Sequence, residues 1–270
     1  MAEWAKEIGV RHKRQSVSRR AIVGIVMTCV VGGMAVAETS AEIMRWQVNG
    51  ATREAIVQAP DTAVSGEALP LVLSFHGYGD NMENFQYTNV HVAWPDAVVV
   101  YFQGLERSRG LRGWVTEPGR SNRDLALVDV ALASLKERFR IDDDRIYATG
   151  YSNGGGFTYL LWSERAEVFA GFAPVAARFR DGVRPEVPRP VFVIAGDRDR
   201  VVEFEDQQEA FELAIDVNSV RDESMECGNG CTLYGAATTA PVMVWVHHGA
   251  HVYPRGASEG IATFFRRYGR

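Results

Sequence analysis

The chain has 270 residues, 46% of them hydrophobic and 10% aromatic, with 29 Lys and Arg against 34 Asp and Glu. That composition excludes disordered, collagenous and multi-span membrane proteins. A net charge of -5 and a pI near 5.7 leave no basic footprint for nucleic acid.

The N-terminus speaks to compartment. Residues 11–20, RHKRQSVSRR, are strongly basic, and residues 21–37, AIVGIVMTCVVGGMAVA, form an uncharged apolar run ending in Ala35-Val36-Ala37. A basic region, an apolar stretch and a small-x-small end predict a signal peptide over residues 1–37, cleaved after Ala37, and hence a secreted or periplasmic protein. The run is long enough that an uncleaved N-terminal anchor is the alternative. Arg19-Arg20 resembles the start of a twin-arginine signal, so the export route stays open. Residues 38–270 carry 23 Lys and Arg against 32 Asp and Glu, and no membrane role is expected of them once the signal is removed.

Downstream there is no low-complexity linker and no repeat, which predicts a single domain over residues 38–270. Residues 43–48 and 53–58 alternate apolar and polar residues around Asn49-Gly50, a hairpin signal. LPLVLSF (residues 69–75) and AVVVYF (residues 97–102) are near-continuous apolar runs, as buried parallel strands require. Residues 124–139 place Leu125, Val128, Leu132, Leu135 and Phe139 on one helical face. A short strand over residues 145–149 leads into GYSNGGG and a helix over residues 157–164. Strands over residues 168–175, 190–195 and 242–247, with a helix over residues 203–218, complete the series. Strands alternating with helices predict an α/β fold, its central sheet mostly parallel with helices on both faces.

The sharpest chemical signal is Gly150-Tyr151-Ser152-Asn153-Gly154, a G-x-S-x-G between a strand and a helix. Such a turn projects the serine hydroxyl above a sheet and needs glycine where backbones crowd, making Ser152 the candidate nucleophile. A serine needs a base, and the base an acid, in the chain order Ser, acid, His. HHGAHVYP offers His247, His248 and His251; His251, in the turn, is the candidate base, with His248 next. GDRDRVV offers Asp199 as the acid, with Asp197 more suited to stabilising its own turn. Oxyanion donors would be the backbone N–H groups of Asn153, just after the nucleophile, and of Tyr78 in the early loop His76-Gly77-Tyr78-Gly79. His76 precedes Ser152, the wrong order for the base, and reads as loop packing. Residues 104–122 would roof the sheet, with Trp114 either stacking on substrate or packing under its own loop; Trp162 reads as core.

Cys227 and Cys231, spaced CGNGC, are an even pair in an exported chain and predict a disulfide across a turn ahead of the last strand. The third, Cys29, lies in the signal, where the preceding Thr28 argues against lipid attachment. No ligand set points to a metal: HHxxH lacks a helical setting and a matching carboxylate, and Asp142-Asp143-Asp144 reads as a solvated turn.

Taken together, SFHGYGD, GYSNGGG, GDRD and GAHVYP resemble the α/β-hydrolase superfamily, more narrowly its polyhydroxybutyrate depolymerase-like and feruloyl or acetyl xylan esterase group, over residues 43–270. The resemblance implies the α/β-hydrolase fold without a large cap domain, and a Ser152-His251-Asp199 triad with Tyr78 donating to the oxyanion. It implies hydrolysis of a small or polymeric ester, polyhydroxyalkanoate-type or feruloyl or acetyl, with no metal or organic cofactor. The chain has Ala250 and Tyr253 where family members often have Gly and Trp, a departure that bears on the shape of the acyl pocket. The alternatives are a serine peptidase of the same fold and an inactive glycan-binding module. Oligomeric state is not written in the sequence.

Overall fold

A computed structural model describes residues 39–119 and 121–269, so the signal peptide read at residues 1–37 lies outside the described residues. Strands β1 (Thr39–Val48) and β2 (Ala51–Pro60) form the expected hairpin, with Val48 opposite Ala51 across Asn49-Gly50. Both turn residues have positive φ, 50° and 78°, the two-residue turn that matches strand twist and that Asn-Gly readily adopts.

Ten strands share one sheet, in which β3 (Leu69–Phe75), β4 (Val98–Phe102), β7 (Ile141–Tyr151), β8 (Gly171–Val175), β9 (Val191–Gly196) and β12 (Val242–His247) are parallel. In spatial order these run β4, β3, β7, β8, β9, β12. β2 and β1 extend one edge antiparallel; β11 (Cys231–Tyr234) and β10 (Ser224–Gly228) extend the other. Cys227 and Cys231 are disulfide-bonded across the turn of this second hairpin, immediately ahead of β12. A separate small hairpin, β5 (Leu105–Ser108) and β6 (Leu111–Gly113), rises from the expected roof segment.

Helices flank both faces because consecutive strand residues point to opposite sides. Leu71, Leu73 and Phe75 pack with α3 (Arg123–Arg138), α4 (Asn153–Arg165) and α5 (Phe204–Val217). Val72, Val99 and Tyr101 pack instead with α1 (Met82–Phe85), α2 (Val90–Ala93) and α6 (Ala257–Arg267). The α3 N-terminus is capped by Asn122, whose Oδ1 accepts from the amides of Asp124 (2.9 Å) and Leu125 (3.1 Å), while Lys136 and Arg138 complement its C-terminal dipole.

The element series read from the sequence lacks several elements of the structure, among them α1, α2 and the β5–β6 and β10–β11 hairpins. The helix α6 is also absent from that series, although Ala257, Ile261, Phe264 and Phe265 follow helical spacing and are buried. Asp142, Asp143 and Asp144 begin β7 rather than forming a turn; Asp142 pairs with Arg145 (2.6 Å) and Asp143 with Lys136 (2.8 Å). No helix among the described residues is long and apolar enough to cross a membrane.

Candidate active site

Ser152, Asp199, His251 and Tyr78 all follow the C-terminal ends of parallel strands, β7, β9, β12 and β3 respectively, the edge where α/β sheets place their ligand sites. Ser152 links β7 to α4 with φ 54° and ψ -115°, a strained backbone for a non-glycine residue. That turn is possible only because Gly150 and Gly154 lack side chains. A Cβ on Gly150 would stand 2.3 Å from the Gly154 carbonyl oxygen, and one on Gly154 would stand 2.1 Å from that of Phe75.

The structure brings the three predicted residues into a line. Ser152 Oγ lies 2.8 Å from His251 Nε2, and His251 Nδ1 lies 2.7 Å from Asp199 Oδ2. Asp199 is a fully buried carboxylate with four donors: His251, the amides of Val201 (2.9 Å) and Val202 (3.1 Å), and Gln207 Nε2 (3.0 Å). Four donors fix the orientation of this carboxylate, which in turn orients the imidazole it accepts from. Gln207, projecting from α5, also donates to the Val202 carbonyl (2.7 Å), which ties the acid-bearing loop to its helix.

His251 sits on a loop tethered from two sides. The amides of Asp197 and Arg198 donate to the carbonyls of His247 and Gly249, joining the loops after β9 and β12. Tyr151 donates its hydroxyl to the His251 carbonyl (2.9 Å), its ring 5.1 Å from the imidazole. Burial, then the Asp199 charge, pushes the Tyr151 phenol up to about 12, so it remains a donor at neutral pH. The second-choice base, His248, is exposed and pairs with Asp197 through Nδ1 and Oδ2, away from Ser152. His247, expected to pack, is half-buried, and burial lowers its pKa.

The backbone amide of Asn153 opens α4, where it has no carbonyl one turn back within the helix to donate to. The loop bearing Tyr78 crosses directly above Ser152: a Cβ on Gly77 would lie 3.7 Å from that of Ser152 and 3.0 Å from Tyr151 Cδ1. His76 underpins this loop. Gly104 N–H donates to its Nε2 (3.0 Å), so the proton resides on Nδ1, which donates to the Gly77 carbonyl (2.7 Å). Desolvation lowers the His76 pKa and keeps the ring in this neutral form.

Trp114 packs under its own loop and does not line the cleft above Ser152. It is wholly buried, stacked 5.6 Å from Phe157 and edge-on to Phe75, with its indole N–H donating to the His76 carbonyl (2.8 Å). The alternation that places a roof residue inward or outward depends on the β5–β6 hairpin, which the sequence reading treated as an undivided loop. The Trp114 backbone is held by the Asn153 side chain, whose Oδ1 accepts from its amide (2.7 Å) and whose Nδ2 donates to its carbonyl (3.1 Å). Trp162 is buried core, as expected, its N–H donating to the Val187 carbonyl. A buried Arg53–Asp124 pair (2.7 Å) anchors the roof to β2, the other Asp124 oxygen accepting from Val115 N–H (2.7 Å).

Gln207, Tyr151 and the Asn153 side chain contact the candidate site residues or the roof beside them, and motif reading does not find them because only the fold shows which atoms they reach. Above Ser152 opens a cleft of about 540 Å³ whose walls include Tyr78, Thr116, Asn153 and Val202. Among the described residues no group of three or more His, Cys, Asp or Glu is arranged to hold a metal ion.

No family model matches the chain. It is 32% identical over 166 residues to a bifunctional acetylxylan esterase/xylanase of Neocallimastix patriciarum, covering 60% of this chain and 23% of that protein. It is 27% identical over 162 residues to feruloyl esterase B of Piromyces equi, covering 56% of this chain and 30% of that one. The chain therefore spans about a quarter to a third of the length of these two curated relatives. The crystal structure of a Bacillus cereus carboxylesterase superposes with a TM-score of 0.58 at 17% identity, covering 80% of this chain and 94% of that one. The mostly parallel sheet with helices on both faces is thus an α/β-hydrolase fold, and the similar curated proteins and the superposed structure are esterases.

Proposed function

We propose that the chain is an exported serine hydrolase of carboxylic esters, with residues 38–270 as its single catalytic domain and residues 1–37 as its signal. The observation that carries the reading is the unbroken run Asp199–His251–Ser152, at 2.7 and 2.8 Å, ending on a strained serine that faces an open cleft. The Cys227–Cys231 disulfide supports an oxidising compartment.

In this mechanism Ser152 Oγ attacks the ester carbonyl while His251 Nε2 takes its proton. The imidazolium is held by Asp199, which accepts from Nδ1 throughout. Charge developing on the carbonyl oxygen is met by the amides of Asn153 and Tyr78, preorganised donors of the kind worth about 3 to 4 kcal/mol each in such sites. His251 returns the proton to the departing alcohol, leaving an acyl group on Ser152. Water, deprotonated by His251, then attacks the acyl carbonyl, releasing the acid and restoring the serine hydroxyl. The substrate is a feruloyl, acetyl or hydroxyalkanoate ester, with similarity to acetylxylan and feruloyl esterases favouring the first two.

The test is turnover of p-nitrophenyl acetate, methyl ferulate, acetylated xylan and hydroxybutyrate oligomers by the protein and its Ser152→Ala variant. Cleavage lost in the variant is expected. Cleavage that survives Ser152→Ala refutes the nucleophile assignment, and glycan binding without any turnover replaces the enzyme with a binding module.

A further inference from the structure

The cleft above Ser152 is locally the wrong sign for this protein. Residues 38–270 are acidic, with 23 Lys and Arg against 32 Asp and Glu, yet the described cleft wall carries Arg107, Arg178 and Arg180 against Glu117 alone. Two of these arginines are engaged. Arg107 donates to the Trp114 carbonyl and lies 3.7 Å from Glu117, and Arg178 lies 3.2 Å from Asp206. Arg180 is exposed, and among the described residues no carboxylate lies within salt-bridge distance of its guanidinium.

The backbone presents this pair of arginines firmly. Phe179, between them, turns inward, its ring 4.0 Å from that of Tyr159 and 6.2 Å from that of Trp162. The Arg180 carbonyl accepts from Val183 N–H (2.9 Å), closing a turn. Neutral acyl and alkyl groups have no use for a free guanidinium. A carboxylate matches it in charge and in fork geometry, and the walls of a partly enclosed cleft strengthen the attraction.

We infer that the ester this cleft accepts bears a free carboxylate remote from the scissile bond, received by Arg180. The inference rests on the ester-hydrolase reading and narrows it to acidic esters: the carboxylate belongs to the acyl part, as in a half-ester of a dicarboxylic acid, or to the alcohol part, as in an acylated hydroxy acid. The chemistry at Ser152 is unchanged; only the remote group is specified.

Matched probes separate the two sources. 4-Nitrophenyl hemiglutarate against 4-nitrophenyl valerate places the charge on the acyl side, and 4-acetoxybenzoate against its methyl ester places it on the alcohol side. Intrinsic reactivity cancels when each anionic-to-neutral ratio of kcat/KM is compared between the protein and its Arg180→Gln and Arg180→Lys variants. For one probe pair, Arg180→Gln is expected to lower that ratio about three- to tenfold at low ionic strength, through KM, with Arg180→Lys keeping part of it. The difference should shrink at about 0.5 M salt. Turnover of all four probes with ratios indifferent to Arg180 overturns the inference and leaves the ester reading standing. No turnover of any probe removes the ester reading, and this inference with it.

Discussion

Gln207→Leu separates the support of the acid from the stability of the fold. Gln207 is wholly buried and spends its amide nitrogen on Asp199 Oδ2 (3.0 Å) and on the Val202 carbonyl (2.7 Å), while its Oε1 is buried without a partner. A bond to a buried carboxylate contributes about 1.5–3 kcal/mol, and an unsatisfied buried oxygen costs about 1–3 kcal/mol, so replacing both by apolar surface largely cancels. The net change in stability should be on the order of 1 kcal/mol, or ~2–4 °C in Tm for a domain of this size. Activity has no such cancellation. The orphan oxygen does nothing for His251, whereas Asp199 loses one of the four bonds that fix its orientation. Even half of the charge-assisted bond, if expressed only when the imidazolium forms, lowers kcat about three- to tenfold. The assay is steady-state hydrolysis of p-nitrophenyl acetate beside thermal unfolding, with Gln207→Glu as a second variant that sets a like charge against Asp199 and should be the more damaging in both. A Gln207→Leu protein with parental kcat and a much lower Tm would refute the reasoning, because Gln207 would then support the fold and not the acid.

Gly154→Ala should abolish soluble folded protein or lower its Tm steeply, since its Cβ would meet the Phe75 and His76 carbonyl oxygens at 2.1 and 2.6 Å; overpacking of this kind costs about 1–3 kcal/mol or more. A parental melting curve would disprove the crowding. His76 has a folded-state pKa below its ordinary 6.5 through burial, so the unfolded chain binds its proton first as pH falls. Its contribution is complete above pH ~6.5 and is lost as pH drops toward the folded value, about 1.4 kcal/mol for each unit of depression. Urea unfolding at about pH 7.5 and about pH 5 should therefore show a smaller loss of stability in His76→Asn than in the parent, with His91 and His247, also lowered by burial, supplying the remainder. An unchanged difference between the two pH values would exclude His76 as a source. Replacing Cys227 and Cys231 by Ser opens a loop of only five residues, whose closure is worth ~2 kcal/mol in the chain-entropy model. A Tm lower by about 4–8 °C with unchanged ester turnover is expected, because the hairpin lies at the sheet edge; loss of turnover would place the hairpin in the site.

Much of the architecture was legible because its signals are local. Apolar runs such as LPLVLSF have no solvated face to offer and must be central strands, and Asn49-Gly50 adopts positive φ at two successive residues, which settles a hairpin. The helix α6 was passed over although its apolar spacing is regular, and the β5–β6 hairpin gave no pattern because its short strands are mostly exposed. Trp114 illustrates the consequence. An aromatic residue in a roof segment can face substrate or core, and only the closure of that hairpin, with Asn153 clamping the Trp114 backbone, turned the indole inward.

Chain order and residue type alone selected Ser152, Asp199 and His251, because a nucleophile elbow needs its glycines at fixed offsets and a triad needs its members in a fixed sequence after particular strands. The tertiary structure decided what no spacing encodes. Strand order brought the loops of β7, β9 and β12 to one edge, so residues about 50 and 100 positions apart meet within 3 Å. It also chose Gln207 and Tyr151 as supports and gathered arginines from separate segments onto one wall. Such contacts depend on long-range packing of a ten-stranded sheet, and local preference carries no trace of them.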